Sequence, residues 1–376
     1  MLFRAVQAEP GLRSGGTGTL SAFASCGTSR NRAVWYCAAT LPRPLRHGES
    51  AGAHRHWQLY EKEIGDQEGL ARAWRFLTDV RWAGSRYGAA EEAAFKTIEH
   101  ARLAGDRAME VRILPALAAL ALWGPMTARH ALALCEGVLE EAAGDRRAEA
   151  LTLRAMAHLE GMLGRFDQAR DRYRRSRATL EELGWTFQSA LTSINSGAVE
   201  VLAGDLAAAE TELRTDFLTL EQMGERNFIS TTAGFLADVL YQLGRYADAQ
   251  ELTSISEEVA APDDVSSQAL WRCVRAKVMA REGRFDEAAA LARDGVSIIG
   301  RSDDPNSQGN ALMDLAEVLR LAGKGREALA AAKRAAELFT QKGNVISAGR
   351  AQALLGELTG PGFSPPLGGT WAGTGG

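Results

Sequence analysis

The stretch GRFDEA at residues 283–288 decides the fold, because variants of it recur along most of the chain. The shared order is Gly, a polar residue, an aromatic residue or Leu, two further residues and Ala. Close or looser copies read SRYGAA at 85–90, WGPMTARHA at 123–131, GRFDQA at 164–169, GDLAAA at 204–209, GRYADA at 244–249 and GKGREA at 323–328. The closing alanines are 38 to 41 residues apart. A period this steady over seven copies indicates an array of structural repeats.

A second set of turn signals falls half a period after the first. It consists of Gly105, Gly144, Gly184, Gly224, Gly343 and the helix-breaking runs 262–264 (PDD) and 303–305 (DDP). Between the turns the apolar spacing is helical, as in Leu312, Leu315 and Leu319. Each unit is therefore predicted to be an antiparallel pair of helices, and seven pairs are expected between roughly 66 and 344.

Small residues mark the places where the two helices of a pair must cross closely. Twelve positions before the closing Ala the chain carries Ala119, Ala157, Gly197, Ala237, Ala276 and Ala316. A small side chain at a helix contact allows a short distance between the helix axes. The fold class predicted is all-α, a right-handed α-solenoid of helix pairs with a period of about 40 residues.

These marks resemble the tetratricopeptide repeat. A small residue in the first helix and a Gly–x–aromatic–x–x–Ala turn into the second are shared with that family, and Trp74 and Leu77 stand at the spacing it uses. The unit is longer than the usual length of about 34 residues, and extra helical turns would account for the difference. The resemblance implies a non-enzymatic scaffold that binds a protein or peptide on a concave groove lined by the first helices.

Alignment on the turn alanine assigns side chains to that groove. Their mixture of long polar and aromatic groups is suited to peptide recognition and equally to a solvated surface. The candidate residues are Asp79, Trp82, Arg154, His158, Asp238, Tyr241, Gln242, Lys277, Arg281, Glu317 and Arg320.

A narrower resemblance covers about residues 60 to 355. WGPMTARHALALCEGVLE and the stretch from 311 to 355 are similar to the C-terminal repeat arrays of large bacterial signalling proteins that combine a class III adenylate or guanylate cyclase domain, or a DNA-binding domain, with a signalling ATPase. This implies a sensing or regulatory arm. One alternative is the C-terminal fragment of such an ATP-dependent protein, and another is a small-molecule receptor that uses the groove.

The ends depart from the repeat. Residues 1–54 are predicted to be irregular or disordered, and 55–358 to form the solenoid, starting with a half unit in HRHWQLYEKEI and ending with a capping helix in NVISAGRAQALLGEL. Residues 359–376 are too rich in Gly and Pro to be expected to fold.

Composition and charge exclude several classes of protein. The net charge of −4 argues against a dedicated nucleic-acid binder. Cys26, Cys37, Cys135 and Cys273 form no CxxC pair, so we expect reduced thiols in a cytoplasmic protein. No apolar run is long enough for a membrane helix. The oligomeric state is not indicated.

Motifs for chemistry are weak. Residues 323–325 (GKG) lack the Ser or Thr of a phosphate-binding loop, and His47, His54 and His56 lack partners at metal-ligand spacing. We therefore predict no catalytic residue, cofactor or metal. The acidic pairs 263–264 and 303–304 are interpreted as helix caps.

The densest basic patch lies at 170–177, where five arginines crowd one predicted helix. The first interpretation is a solvated outer face balanced by Glu181 and Glu182, and the second is a site for an acidic partner.

Overall fold

The computed structural model describes residues 66–359, and all of its regular structure is helical. The helices are α1 Gln67–Ala83, α2 Tyr87–Ala104, α3 Arg107–Trp123, α4 Ala128–Glu141, α5 Arg146–Met162, α6 Phe166–Glu182, α7 Thr186–Ala190, α8 Ser193–Ala203, α9 Leu206–Gln222, α10 Asn227–Gln242, α11 Tyr246–Val259, α12 Val265–Arg281, α13 Phe285–Ile299, α14 Pro305–Leu321, α15 Gly325–Lys342 and α16 Val345–Thr359. The predicted all-α repeat fold is confirmed.

The described helices form seven consecutive pairs followed by α16. The fourth pair has a divided first helix, α7 and α8, and every other pair consists of two continuous helices. Helix α16 includes Thr359, one residue beyond the predicted boundary at 358. The expected irregular N-terminal segment, the half unit before residue 66 and the C-terminal tail from 360 onward lie outside the described residues.

Turn chemistry explains where the helices end. Gly164 and Gly184, at the two turns that flank α6, have φ values of 76° and 70°, a region that side chains with a Cβ rarely adopt. On the other side of many turns an Asp opens the next helix, as Asp145 does by accepting a hydrogen bond from the Ala148 backbone N–H at 2.9 Å. A short turn of this kind folds each helix back along its predecessor.

The break between α7 and α8 has a local cause. The Thr192 hydroxyl donates to the Gln188 carbonyl and the Ser193 hydroxyl to the Ala190 carbonyl, while the Ser193 backbone N–H donates to Asp216 of α9. Side chains that bond to nearby backbone in this way compete with the helical ladder. The first helix of the fourth unit is therefore interrupted at residues 191–192.

The first helices of successive units pack directly on one another, as α10, α12 and α14 do. The Tyr241 hydroxyl of α10 even reaches Glu317 of α14, two units further on, at 2.6 Å. The array therefore curves with its first helices on the inside, and we call their inward surface the inner face.

The turns of the array form two edges. The hairpin edge consists of the turns within pairs, at residues 84–86, 124–127, 163–165, 204–205, 243–245, 282–284 and 322–324. The junction edge consists of the turns between pairs, at residues 105–106, 142–145, 183–185, 223–226, 260–264, 300–304 and 343–344.

The curvature of the array brings its two ends together. The hairpin edge of the first units packs against the junction edge of the last units. Asp303 accepts hydrogen bonds from the backbone N–H groups of Tyr87 and Gly88 at 2.7 and 2.9 Å. Lys342 donates to the carbonyls of Ala121 and Gly124 at 3.0 and 2.7 Å. The negative charge of Asp303 lies at the positive, N-terminal end of the α2 dipole, and the positive charge of Lys342 lies at the negative, C-terminal end of the α3 dipole. Both placements are electrostatically favourable.

The capping helix extends this closure. Arg350 of α16 donates to the carbonyls of Val201 and Leu202 at 2.7 and 3.1 Å, at the end of α8. Asn344 donates to Asn306, which in turn contacts the Met162 sulfur at the end of α5. The last two units and α16 thus cover the hairpin edge of the first four units.

Candidate binding surface

The eleven residues predicted for the groove all lie on first helices. Asp79 and Trp82 are on α1, Arg154 and His158 on α5, Asp238, Tyr241 and Gln242 on α10, Lys277 and Arg281 on α12, and Glu317 and Arg320 on α14. The structure joins those of the last three units, apart from Arg320, into one cluster on the inner face. The predicted residues on α1 and α5 do not contact this cluster. Their use in binding stays a prediction.

The core of the cluster is a hydrogen-bonded triangle. The Tyr241 hydroxyl donates to Glu317 Oε1 at 2.6 Å, and Arg281 donates to the Tyr241 oxygen at 2.9 Å and to Glu317 at 2.8 Å. Burial is the main reason that the pKa of Tyr241 is raised above its ordinary value, and the bond to Glu317 raises it further. The phenol therefore stays protonated and holds the carboxylate in place.

A buried ammonium extends the cluster. Lys277 contacts Asp238 of α10 and lies 2.7 Å from Asp314 of α14. Burial alone would lower the pKa of Lys277, but the two carboxylates raise it well above its ordinary value. Burial also raises the pKa of Asp314. Lys277 is therefore a cation that links first helices two units apart.

Sequence reasoning missed Asp314. The signal was available, because Asp314 precedes Glu317 by three residues and therefore lies on the same helix face. Gln242 and Arg320 flank the cluster. Gln242 is exposed and donates to Asp238 at 2.8 Å, and Arg320 is half-buried.

The candidates on α5 are internal. His158 is buried, 3.3 Å from the Asn195 amide oxygen, with its ring edge-on to Trp123 at 5.4 Å between centroids. Burial lowers the pKa of His158 to about 4, and nearby Lys342 adds to the shift. Arg154 donates to the Gln188 carbonyl at 3.2 Å. These contacts join the third unit to its neighbours.

The candidates on α1 make local contacts. Asp79 is exposed and pairs with Arg75 of the same helix at 3.2 Å. Trp82 is half-buried and lies edge-on to Tyr87 at 5.6 Å.

The basic patch at 170–177 is only partly the solvated face that one interpretation of the sequence held: Arg174 and Arg175 are exposed, whereas the other three arginines pair with buried or half-buried carboxylates. Arg170 makes two hydrogen bonds to Glu200, whose side chain is 2% exposed, and Arg177 bonds to Asp216 at 3.0 Å. Arg172 lies 3.4 Å from Glu160. Glu200 and Asp216 belong to unit four, so Arg170 and Arg177 connect units three and four, while Arg172 joins the two helices of unit three.

Two open cavities lie beside this patch. The larger, of about 590 Å³, runs between the second helices α6 and α9, with Asp167, Arg174 and Glu212 in its wall. The smaller, of about 370 Å³, lies on α6. None of the eleven predicted groove residues lines either cavity.

Within residues 66–359, no cluster of three or more His, Cys, Asp or Glu side chains has the arrangement of a metal site. Cys135 and Cys273 are buried, and burial raises the pKa of the Cys135 thiol to about 12, which leaves it protonated. None of the helices in this part of the chain is both long and apolar enough to cross a membrane. Cys26, Cys37 and the three early histidines lie outside it.

Comparison with known proteins identifies the fold and not the family. No family model matches the chain, and no curated protein matches its sequence. Among solved structures, a chain of the Cut9–Hcn1 hetero-tetramer of the APC/C is similar at 12% identity with a TM-score of 0.53, over 85% of this chain and 61% of that one.

Yeast Tom70 is similar at 14% identity with a TM-score of 0.49, over 92% of this chain and 66% of that one. A Signal Transduction ATPase with Numerous Domains that has a tetratricopeptide repeat sensor, from Pyrococcus horikoshii, is similar at 10% identity with a TM-score of 0.48, over 85% of this chain and 54% of that one. The chain thus spans between about half and two thirds of these three proteins. Its fold is an α-solenoid of tetratricopeptide-type helix pairs.

Proposed function

We propose that this chain is a non-enzymatic array that binds a protein or peptide partner on the inner face of its last three units. The observation that carries the proposal is the linked cluster of Asp238, Tyr241, Lys277, Arg281 and Glu317. Asp238, Arg281 and Glu317 each keep a quarter or more of their side chains exposed while their positions are fixed by buried partners. Charged groups held in place before binding lose less entropy when a partner arrives.

The exposed part of the cluster carries both signs of charge, and uncharged Gln242 and half-buried Arg320 stand beside it. Complementary charge on a partner contributes more to specificity and association rate than to affinity. We therefore expect a partner segment with both acidic and basic residues, whose binding weakens as salt concentration rises.

The test is affinity capture of partners from the native cells, with quantitative mass spectrometry. The double variant Gln242→Ala, Arg320→Ala changes the border of the cluster without removing a buried group. Arg334→Ala on the second helix α15 is the matched control, because Arg334 is exposed and pairs only locally with Glu337. We expect the double variant to recover at least about ten-fold less partner than the wild type and the control do. Equal recovery by all three would contradict the inner face as the binding surface.

The absence of catalysis is part of the proposal and has its own test. The described residues carry inward charges that pair with one another, and the sequence has no phosphate-binding loop. We expect titration calorimetry of the purified chain with Mg-ATP to give no binding heat. Micromolar affinity for ATP would contradict this part of the proposal.

The finer proposal is a sensing or regulatory arm of a bacterial signalling protein, located in the cytoplasm. Its support is the resemblance of the stretch from 60 to 355 to arrays that follow signalling ATPases. The alternative, a C-terminal fragment of an ATP-dependent cyclase or transcriptional regulator, is distinguished by an immunoblot of the native cells. A band much larger than a 376-residue chain would favour the fragment.

A further inference from the structure

The contact that closes the array has two halves, one on each edge. Within one chain, Asp303 of the junction edge lies over the turn that begins α2 and accepts hydrogen bonds from Tyr87 and Gly88. The Asp303 backbone N–H also donates to the Ser85 carbonyl at 3.3 Å. Helix α2 has no side-chain cap of its own, since its N-cap residue is Arg86. The far end of the chain supplies that cap.

The corresponding turns of units five and six, at residues 243–245 and 282–284, have no such contact from another part of the described chain. Tyr246 occupies the repeat position of Tyr87 and follows an arginine in the same way, but it is 37% exposed where Tyr87 is 9% exposed. Helix α11 likewise lacks a side-chain cap at its N-cap residue Arg245. Leu243 and Phe285 are exposed on the same edge. Uncapped N–H groups and apolar side chains are therefore presented together.

The junction edge carries an exposed counterpart of Asp303, in the turn at residues 260–264 between units five and six. The run Pro262–Asp263–Asp264 parallels Ser302–Asp303–Asp304. Asp264 caps α12 through the Ser267 N–H, as Asp304 caps α14 through the Asn306 N–H. Asp263 is left exposed at the position that corresponds to Asp303.

These two free halves lie on opposite edges of the same stretch of the array, so one molecule cannot join them. We propose that a second copy of this chain docks its junction edge on the hairpin edge of units five and six. Asp263 of the second copy then accepts from the first N–H groups of α11, and Leu243, Tyr246 and Phe285 become buried. The contact continues the intramolecular interface and is head-to-tail, with different surfaces contributed by the two copies.

The test is sedimentation velocity over a range of protein concentrations. The variants are Leu243→Glu, which alters the hairpin edge, and Asp263→Lys, which alters the junction edge. The control is Leu218→Glu, because Leu218 is an exposed apolar residue of α9 outside both edges. Circular dichroism checks that each variant is folded. We expect wild type and control to associate as concentration rises, and each edge variant to associate at least about ten-fold more weakly.

Mixing the two edge variants separates this arrangement from a symmetric one. The Leu243→Glu copy keeps Asp263, and the Asp263→Lys copy keeps Leu243, so an equimolar mixture contains one intact contact. We expect the mixture to form a dimer and nothing larger. A wild type that stays monomeric at all concentrations, edge variants that associate like the wild type, or a mixture that stays monomeric would each overturn the proposal.

Discussion

Glu200 shows how a single buried carboxylate can connect two repeats. It accepts two hydrogen bonds from Arg170 and one from the Tyr173 hydroxyl at 2.8 Å, both on α6. The sequence shows the arginines as a dense run, but the acids that pair with Arg170 and Arg177 are 30 and 39 residues away. One-dimensional charge patterns therefore could not distinguish a solvated basic face from an interface between units.

We predict that Glu200→Ala lowers the free energy of unfolding by about 3 kcal/mol, because it leaves Arg170 and Tyr173 without their shared acceptor. The estimate is at the lower end for breaking a buried pair, since Arg170 is partly exposed and can be rehydrated. Urea denaturation followed by circular dichroism measures it. Glu182→Ala is the control, because the Arg146–Glu182 pair is more than half exposed and its loss should cost less than about 1 kcal/mol. Equal losses in the two variants would contradict the prediction.

His158 is predicted to make the protein sensitive to mild acid. Its pKa is about 4 in the folded chain because of burial, against an ordinary value of 6.5, so the unfolded chain binds more protons between these pH values. The stability that neutral His158 provides is complete above pH 6.5 and is lost as pH falls towards 4. His158→Gln should reduce this pH dependence of the unfolding free energy. An unchanged slope between pH 6.5 and 4 would show that other groups cause it.

At the scale of single helices, local sequence signals were sufficient. The predicted turns, with a Gly or an Asp at each, are the observed helix boundaries, and Gly197 lies where the crossing is tight, since an added Cβ would lie 2.8 Å from Leu213. The division of α7 from α8 was not predicted. One cause of the division is the hydrogen bond from the Ser193 backbone N–H to Asp216 of α9. The spacing of turn residues in the sequence does not indicate this contact.

Two helical glycines give a matched prediction about packing. Gly309→Ala on α14 would place a methyl group 2.6 Å from the buried ring of Phe339, and overpacking of this kind costs about 1–3 kcal/mol. Gly349→Ala on α16 meets no atom within 4 Å and should stabilise the protein by about 0.5–1 kcal/mol, because Ala loses less backbone entropy in a helix. The two substitutions should shift the midpoint of thermal denaturation in opposite directions, Gly309→Ala to a lower and Gly349→Ala to a higher temperature. Shifts of the same sign would contradict the assigned packing.

At the scale of the whole molecule, the sequence was less informative. Seven pairs and their period follow from repeated local signals, but the cluster around Tyr241 and Glu317 depends on how far each unit rotates relative to the last. Small rotations add up along an array, and no single residue encodes their sum. For the same reason the assignment of residues to a groove did not show that six of the side chains pair with one another.

The contact between the two ends is open to a direct test. Asp303→Ala removes the acceptor for the backbone N–H groups of Tyr87 and Gly88, which should cost about 0.5–2 kcal/mol, as for other helix caps. We expect faster amide exchange at the start of α2, measured by hydrogen–deuterium exchange, with α9 unchanged. Asp171→Ala is the control, because the Asp171 side chain is exposed on α6 and pairs only with Arg175 of the same helix. Protection at residues 87–90 equal to that of wild type would show that Asp303 does not stabilise the closed arrangement.

The closure formed by Asp303, Lys342 and Arg350 also affects how the molecule unfolds. In an open array each repeat depends only on its neighbours, so terminal repeats fray and unfolding can spread unit by unit. Here side chains from the end of the array pair with backbone groups of the first two units, across more than 200 residues of chain. Neither end can detach without exposing groups of the other. The repeats therefore behave as one cooperative domain, with a slower folding step because distant segments must meet before the closing contacts form.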